Sequence, residues 1–320
     1  MAALAVHILR RLALAAATFA AASVVIFLLI QLAPGHVERL VAEQEAGGAA
    51  TMKTVQEARH ELGLDKSYPE RYALWLTRSL RGDLGLSFRT GRSIRQDLLD
   101  RSGQTLILMA CATIFAAVVG VGSAFLAAAH PYGLVDHALR GLAVASVAIP
   151  MFYLGAILIL IFGLQLAMLP IIGDTGPPSW ILPAVTLGVA PAAVVSLVAR
   201  VLLEREMQSQ YIVTARSRGA GHLRLLLVEA LPNIVGQTTT ALLTQVGFTM
   251  LPATIVVERV FAWDGVGSYF LQAVLFRDFP VMQAVLLLFV AVVMVLSLIA
   301  DAIQYLADPR LRHGLYGGVT

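Results

Sequence analysis

An all-α, polytopic membrane protein with six transmembrane helices is what this sequence predicts, and three observations carry that reading. Apolar residues make up 58% of the chain and charged residues 13%, whereas soluble domains hold about 45–50% and about 25%. Apolar runs matching the ~20 residues that cross a ~30 Å hydrocarbon core recur at 9–32, 104–129, 138–163, 181–203, 234–257 and 280–306. Arginine is distributed unevenly among the short connections, which orients the spans.

The first run follows Arg10 and Arg11, as a signal peptide would, but its apolar stretch from Leu12 to Leu32 is too long for a cleaved leader. It reads as a retained span, within an N-terminal segment 1–33. The connection 164–180 has no Lys or Arg, whereas 200–230 carries Arg200, Arg205, Arg216, Arg218 and Arg224, and the tail 307–320 carries Arg310 and Arg312. Both termini are therefore expected in the cytoplasm. The connection 34–103 then lies outside despite its eleven Lys and Arg, because loops beyond about 60 residues escape the charge rule.

That external connection is expected to form a small helical cap, with a polar helix ending near Gly63 and a second through Trp75 and Leu76, closed by the glycines of "GDLG". The stretch "SIRQDLLDRSGQTLIL", with Ile94, Leu98 and Leu99 on one face, fits an interfacial helix, or an ordinary amphipathic lead-in to the second span without a function of its own. The remaining spans, 104–306, form the core.

The net charge of +3 is small, so a polyanion-binding surface and nucleic acid are set aside. Cys111 is the single cysteine and lies in an apolar run, which excludes an internal disulfide. The seven histidines, at 7, 36, 60, 130, 137, 222 and 313, never fall at i, i+4; surface histidines are expected, and no metal site.

"QYIVTARSRGAGHLRLLLVEALPNIV", residues 210–235, interrupts two apolar runs with arginine and glycine. In a helix, Tyr211, Ala215 and Gly219 would share one face at i, i+4 and i+8, with Arg216 on another. Gly219 and Gly221 would end the helix, leaving a short element with a small-residue face that a soluble partner can approach closely. On spacing alone a basic loop serving only topology stands beside that reading.

"YIVTARSRG" resembles the cytoplasmic EAA motif in permease subunits of ATP-binding-cassette importers, and the chain is similar to their dipeptide, oligopeptide and nickel permease family. The likeness continues through "ILRR" and "LAPG", "ELGLD", "GDLGLSF", "ILPAVTLG", "ERVFAWDGVGSYF" with "RDFPVMQ", and "DAIQYLADPRLR". It implies the type I importer permease fold in a bacterial inner membrane, with a coupling loop at 204–232. Tyr211, Thr214, Ala215, Arg216, Arg218 and Gly219 would meet an ATP-hydrolysing subunit. Implied partners are a second permease chain, with a heterodimer expected, two cytoplasmic ATP-binding subunits and an extracytoplasmic solute-binding protein. No cofactor is expected on this chain; ATP and Mg belong to the partner subunits, and no residue here is catalytic. The sequence accordingly has no G-x-x-x-x-G-K-[ST] loop. His36, Pro232 and Asp264 depart from the family pattern.

Within the spans, Pro183, Pro191 and Pro252 are expected to kink their helices, and beside Gly188 and Gly247 these positions fit either a moving path or ordinary packing. Gln245 and Thr249, one turn apart, are candidates with Pro252 for the translocation path. Asp301 is a candidate intramembrane carboxylate, or a headgroup-level acid partnered by an arginine such as Arg200. Glu258, at the external end of the fifth span, is the candidate external gate or a cap at that mouth.

Two function classes follow. One is an importer permease subunit passing short peptides, or nickel or a metal chelate; the other is a stand-alone secondary carrier or channel, which the lack of internal repeats disfavours.

Overall fold

The computed structural model describes residues 2–31, 56 and 66–307, and among these the regular elements are helices, with one isolated bridge between Leu86 and Ser93. In chain order they are α1 (Ala2–Gln31), α2 (Tyr68–Leu80), α3 (Ile94–Ala129), α4 (Leu134–Ala148), α5 (Met151–Gln165), α6 (Pro177–Met207), α7 (Gln210–Ser217), α8 (His222–Val260), α9 (Val266–Leu275) and α10 (Phe279–Ala307). Among the described residues, α1, α3, α6, α8 and α10 are each long and apolar enough to cross a membrane, and α4 with α5 makes a sixth apolar stretch of that length only when the bent pair is taken together.

That bent pair differs from the continuous span expected at 138–163. α4 and α5 bend by 106° at their junction. Ile149 stands before Pro150 and takes an extended ψ of 125°, because the proline ring excludes the residue before it from the helical region. Residues from Ile94 onward are the first turns of α3 itself, as an ordinary amphipathic lead-in would be, and not a separate interfacial helix. The helix expected to end near Gly63, the "LAPG" block and the tail after Ala307 lie outside the described residues.

α8 runs through Pro232 and Pro252 without stopping, so the fifth span begins at His222 rather than near Pro232. Each proline follows a wider π-helical stretch, Leu225–Ala230 and Val246–Met250. A proline lacks the N–H for the i−4 bond and crowds that carbonyl, and a widened turn relieves both. α6 likewise continues through Pro183 and Pro191, both buried.

Two compact units divide the described residues. The first comprises residues 2–3, Gly103–Ser268 and 292–307. In it α3 and α6 run parallel on small residues. Gly120 abuts Ala192 and Val195, Gly188 abuts Ala112 and Phe115, and Ser123 donates to Ser196 at 2.8 Å. Glycines and alanines are what let membrane helices approach closely when lipid supplies no hydrophobic drive. Glu258 is fully buried and accepts from the Thr105 hydroxyl (2.7 Å) and the Ser268 amide (2.7 Å), pinning the turn after α8. Trp263 adds an indole donor to the Gln104 carbonyl at 3.1 Å.

The second unit takes in 4–31, 66–102 and 269–291. α2 begins with Ser67 and Pro69, and the Ser67 amide donates to Glu70 at 3.2 Å. Tyr72 of α2 meets Phe27 of α1 edge-on and Trp75 packs against it tilted, and Tyr72 shares a 2.8 Å hydrogen bond with Ser23. Gly82 and Gly85 take φ of +79° and +78°, values that favour glycine, and turn the chain after α2. Ser87 and the Phe88 amide donate to the Asp278 carboxylate at 2.5 and 3.1 Å, with the Arg89 amide at 3.3 Å. The blocks "GDLGLSF" and "RDFPVMQ", distant in sequence, thus meet at one buried carboxylate.

Candidate coupling site

α6 ends at Met207, and Gln208 and Ser209 turn the chain into α7. Ser209 is extended (φ −72°, ψ 155°), and its carbonyl accepts the first helical bond from Val213. One residue of α7, Ile212, is fully buried, in a cluster with Ala199 and Leu203 of α6, Ala124 of α3, and Leu225, Leu226, Ala230 and Ile234 of α8. A single apolar anchor on an eight-residue helix explains its attitude: Ile212 points into the unit while most of the remainder is exposed.

The C-terminus of α7 closes in a Schellman arrangement. The Ala220 amide donates to the Ala215 carbonyl at 3.2 Å, and the Gly219 amide to that of Arg216 at 3.0 Å, with Gly219 at φ +87°. Gly219 is therefore outside the helix and not on the Tyr211–Ala215 face at i+8. Nothing lies within 4 Å of where its Cβ would be. Its glycine is required by backbone conformation, not by packing.

A cleft of about 490 Å³ opens on this element, lined by Tyr211, Thr214, Ala215, Arg218, Gly219 and Ala220 from the α7 side and by Arg224 and Glu229 from α8. Arg216, predicted to belong with the others, is exposed but does not line the cleft. Ala215 lines the cleft and also packs against the buried cluster. Arg224 and Glu229 escaped the sequence reading, although they follow Gly221 within the same block. Tyr211 spans the two sides: its hydroxyl donates to Glu206 at 2.6 Å and accepts from the Asn233 amide at 3.1 Å. Asn233 also donates to the Glu229 carbonyl at 2.7 Å. Partial burial, then the Glu206 carboxylate, pushes the Tyr211 hydroxyl above its usual pKa.

The other predicted residues sit elsewhere. Gln245 and Thr249 are half-buried and bonded to one another at 2.9 Å, and Pro252 is exposed. Asp301 is half-buried on α10. Arg200, suggested as its partner, is instead held by Asp136 and Glu204. Glu258 is wholly buried and braces the turn after α8, as the capping reading has it. Among the described residues no group of three or more His, Cys, Asp and Glu side chains is placed to hold a metal ion.

Comparison with known proteins places the whole chain. Residues 105–313 match the family described as binding-protein-dependent transport system inner membrane component, and residues 4–109 match its N-terminal companion. A glutathione transport system permease protein, GsiC, of Pectobacterium atrosepticum is 34% identical over 91% of this chain and 93% of its own. The GsiC of Escherichia coli strain K12 is 31% identical over 96% of this chain and 99% of its own. The MetNI methionine ABC transporter, solved in inward-facing conformations, shares the fold, with a TM-score of 0.52 at 22% identity over 66% of this chain and 96% of the solved chain. The protein is thus a multi-pass component of a bacterial inner membrane, and as a permease component it is not itself an enzyme. This chain belongs to the binding-protein-dependent transport system inner membrane component family, as an ABC importer permease of the dipeptide, oligopeptide and nickel type.

Proposed function

We propose that this chain is the permease subunit through which short peptides cross the membrane, paired with a second, homologous permease chain. An external binding protein delivers the peptide, and two ATP-hydrolysing subunits dock from the cytoplasm on α7. The observation that carries the docking half is the cleft of about 490 Å³ beside a helix anchored by one buried isoleucine. Such an element is exposed enough to be gripped and tied firmly enough to α3, α6 and α8 to pass on a push. Arg218 and Arg224 on the cleft wall favour an acidic partner surface.

The peptide half is supported by the relatives named for transport of glutathione, itself a tripeptide. The stand-alone carrier reading gives way to family membership. The test is reconstitution with the neighbouring transport subunits. Ala215→Trp, which fills the cleft, is expected to abolish co-purification of the ATPase and uptake together. Vesicles should take up glutathione or a tripeptide only with the binding protein and ATP present. Undiminished uptake by the Ala215→Trp protein would refute the docking reading; uptake of nickel chelates without any peptide uptake would refute the substrate.

A further inference from the structure

A cluster of charges lies outside the coupling cleft, where α3, α4 and α6 meet. Asp136, in the first turn of α4, is completely buried. Arg200 of α6, also buried, grips it with two nitrogens, Nε at 2.6 Å and Nη2 at 2.8 Å. Arg200 Nη1 reaches Glu204 one turn later at 2.8 Å, and Arg140 closes on Asp136 at 3.0 Å. The turn between α3 and α4 joins in: the Tyr132 amide donates to Asp136 at 3.2 Å and its hydroxyl to Glu204 at 2.7 Å. Tyr132 is held at φ +60°, a left-handed conformation a tyrosine adopts only when its surroundings enforce it.

The position of this cluster matters more than its strength. Arg200 and Glu204 occupy one face of the last turns of α6, while Ala199 and Leu203 on the adjoining face pack with Ile212 of α7. The same two turns therefore hold the coupling helix on one side and α4 on the other. A two-pronged arginine–carboxylate pair fixes distance and orientation together, and the close-packed apolar cluster beside it transmits displacement. Removing one partner would leave a buried charge uncompensated, so the pair resists parting under load.

We propose that Asp136 and Arg200, with Glu204 and Tyr132 at the rim, are positioning residues that make α4 move as one body with α7, so that a displacement imposed on the coupling helix reaches the bent α4–α5 pair undiminished. This rests on the reading of α7 as the docking element.

The test uses the complete importer with a Cys111→Ala permease carrying spin labels at Val213→Cys on α7 and Leu142→Cys on α4, both exposed positions. A reference pair joins Val213→Cys to Val201→Cys on α6. Distances are measured without nucleotide and after trapping with ATP and vanadate. In the native background the 213–142 distance is expected to hold between the two states. In Arg200→Gln it should shift by about 1–2 Å, the scale of helix displacements in switching proteins, while the reference pair stays fixed. Glu204→Gln with Tyr132→Phe, placed at the exposed rim, keeps the central pair and should give a smaller shift of the same kind if Arg200→Gln fails to assemble. A 213–142 distance that changes in the native protein, or that holds in both variants, would overturn the proposal. If α7 were not the docking element, the label at 213 would show no change in mobility when the ATPase subunits are added, which separates the two failures.

Discussion

Gly120→Ala should loosen the α3–α6 pair measurably, although it adds one methyl group. A Cβ at 120 would lie 2.8 Å from the Ala192 carbonyl oxygen and 2.9 Å from Val195 Cβ and Cγ1. Carbon atoms in good contact sit about 3.5–4.0 Å apart, so the methyl must gain roughly 0.5–1 Å. The obstructing oxygen belongs to the main chain and cannot rotate aside, so the helices must separate. Overpacking of this kind costs about 1–3 kcal/mol. Separation would also stretch the 2.8 Å Ser123–Ser196 bond one turn along. Gly188→Ala meets Ala112 O at 2.8 Å on the same interface, so the double variant should lose less than the sum of the two. Gly122→Ala is the control: nothing lies within 4 Å of its Cβ position, and alanine gains about 0.5–1 kcal/mol of helix preference over glycine. The assay is SDS titration of the purified protein, followed by thiol labelling of Cys111, half-buried on α3. Equal unfolding midpoints for Gly120→Ala and Gly122→Ala would refute the close-packing argument.

Leu203→Ala removes a fully buried side chain from the cluster beneath α7 and should cost about 2–5 kcal/mol, read in the same titration together with weaker ATPase co-purification. Glu258→Gln keeps the shape but offers one acceptor oxygen where two donors, Thr105 and the Ser268 amide, arrive on separate oxygens; a loss of about 1–3 kcal/mol is expected. Asp174 accepts from Trp180 Nε1 at 2.7 Å, and that bond, then the Gly176 amide, holds its carboxyl below the usual 3.8. The folded state thus releases this proton more readily than the unfolded chain, so its stabilising contribution is present above 3.8 and lost as pH falls through the lower folded value; Trp180 fluorescence should report a midpoint below 3.8, and one above it would contradict the hydrogen bond. Tyr211, shifted upward, carries the opposite sign: its contribution is intact below its ordinary value of 10.0 and fades as pH rises through the folded one, so Tyr211→Phe should remove one alkaline ultraviolet step.

Much of this architecture was legible because lipid imposes a simple rule: a span must be apolar over a fixed length. That rule placed α1, α3, α6, α8 and α10, and Gly219 with Gly221 placed α7. Counting apolar residues is blind to backbone, and there the reading failed. Pro150 ends α4 with no drop in hydrophobicity, and the wide turns before Pro232 and Pro252 leave no trace in a pattern counted at 3.6 residues per turn. The cleft was half legible, since Tyr211, Thr214, Ala215, Arg218 and Gly219 are local, while Arg224 and Glu229 join only through the turn at Gly221. Asp136 and Arg200, like Ser87 and Asp278, are far apart in sequence, and no local periodicity announces such pairs.

The clasp at Asp278 bears on biosynthesis. Ser87, Phe88 and Arg89 leave the ribosome about 190 residues before the carboxylate that binds them, and chains are made N-terminus first at roughly 5–20 residues per second. During that interval the early loop has its donors but no acceptor. The unit containing it is stitched from segments on either side of residues 103–268, so a product truncated before codon 278 would reach the membrane with that unit unfinished, open to quality-control proteases.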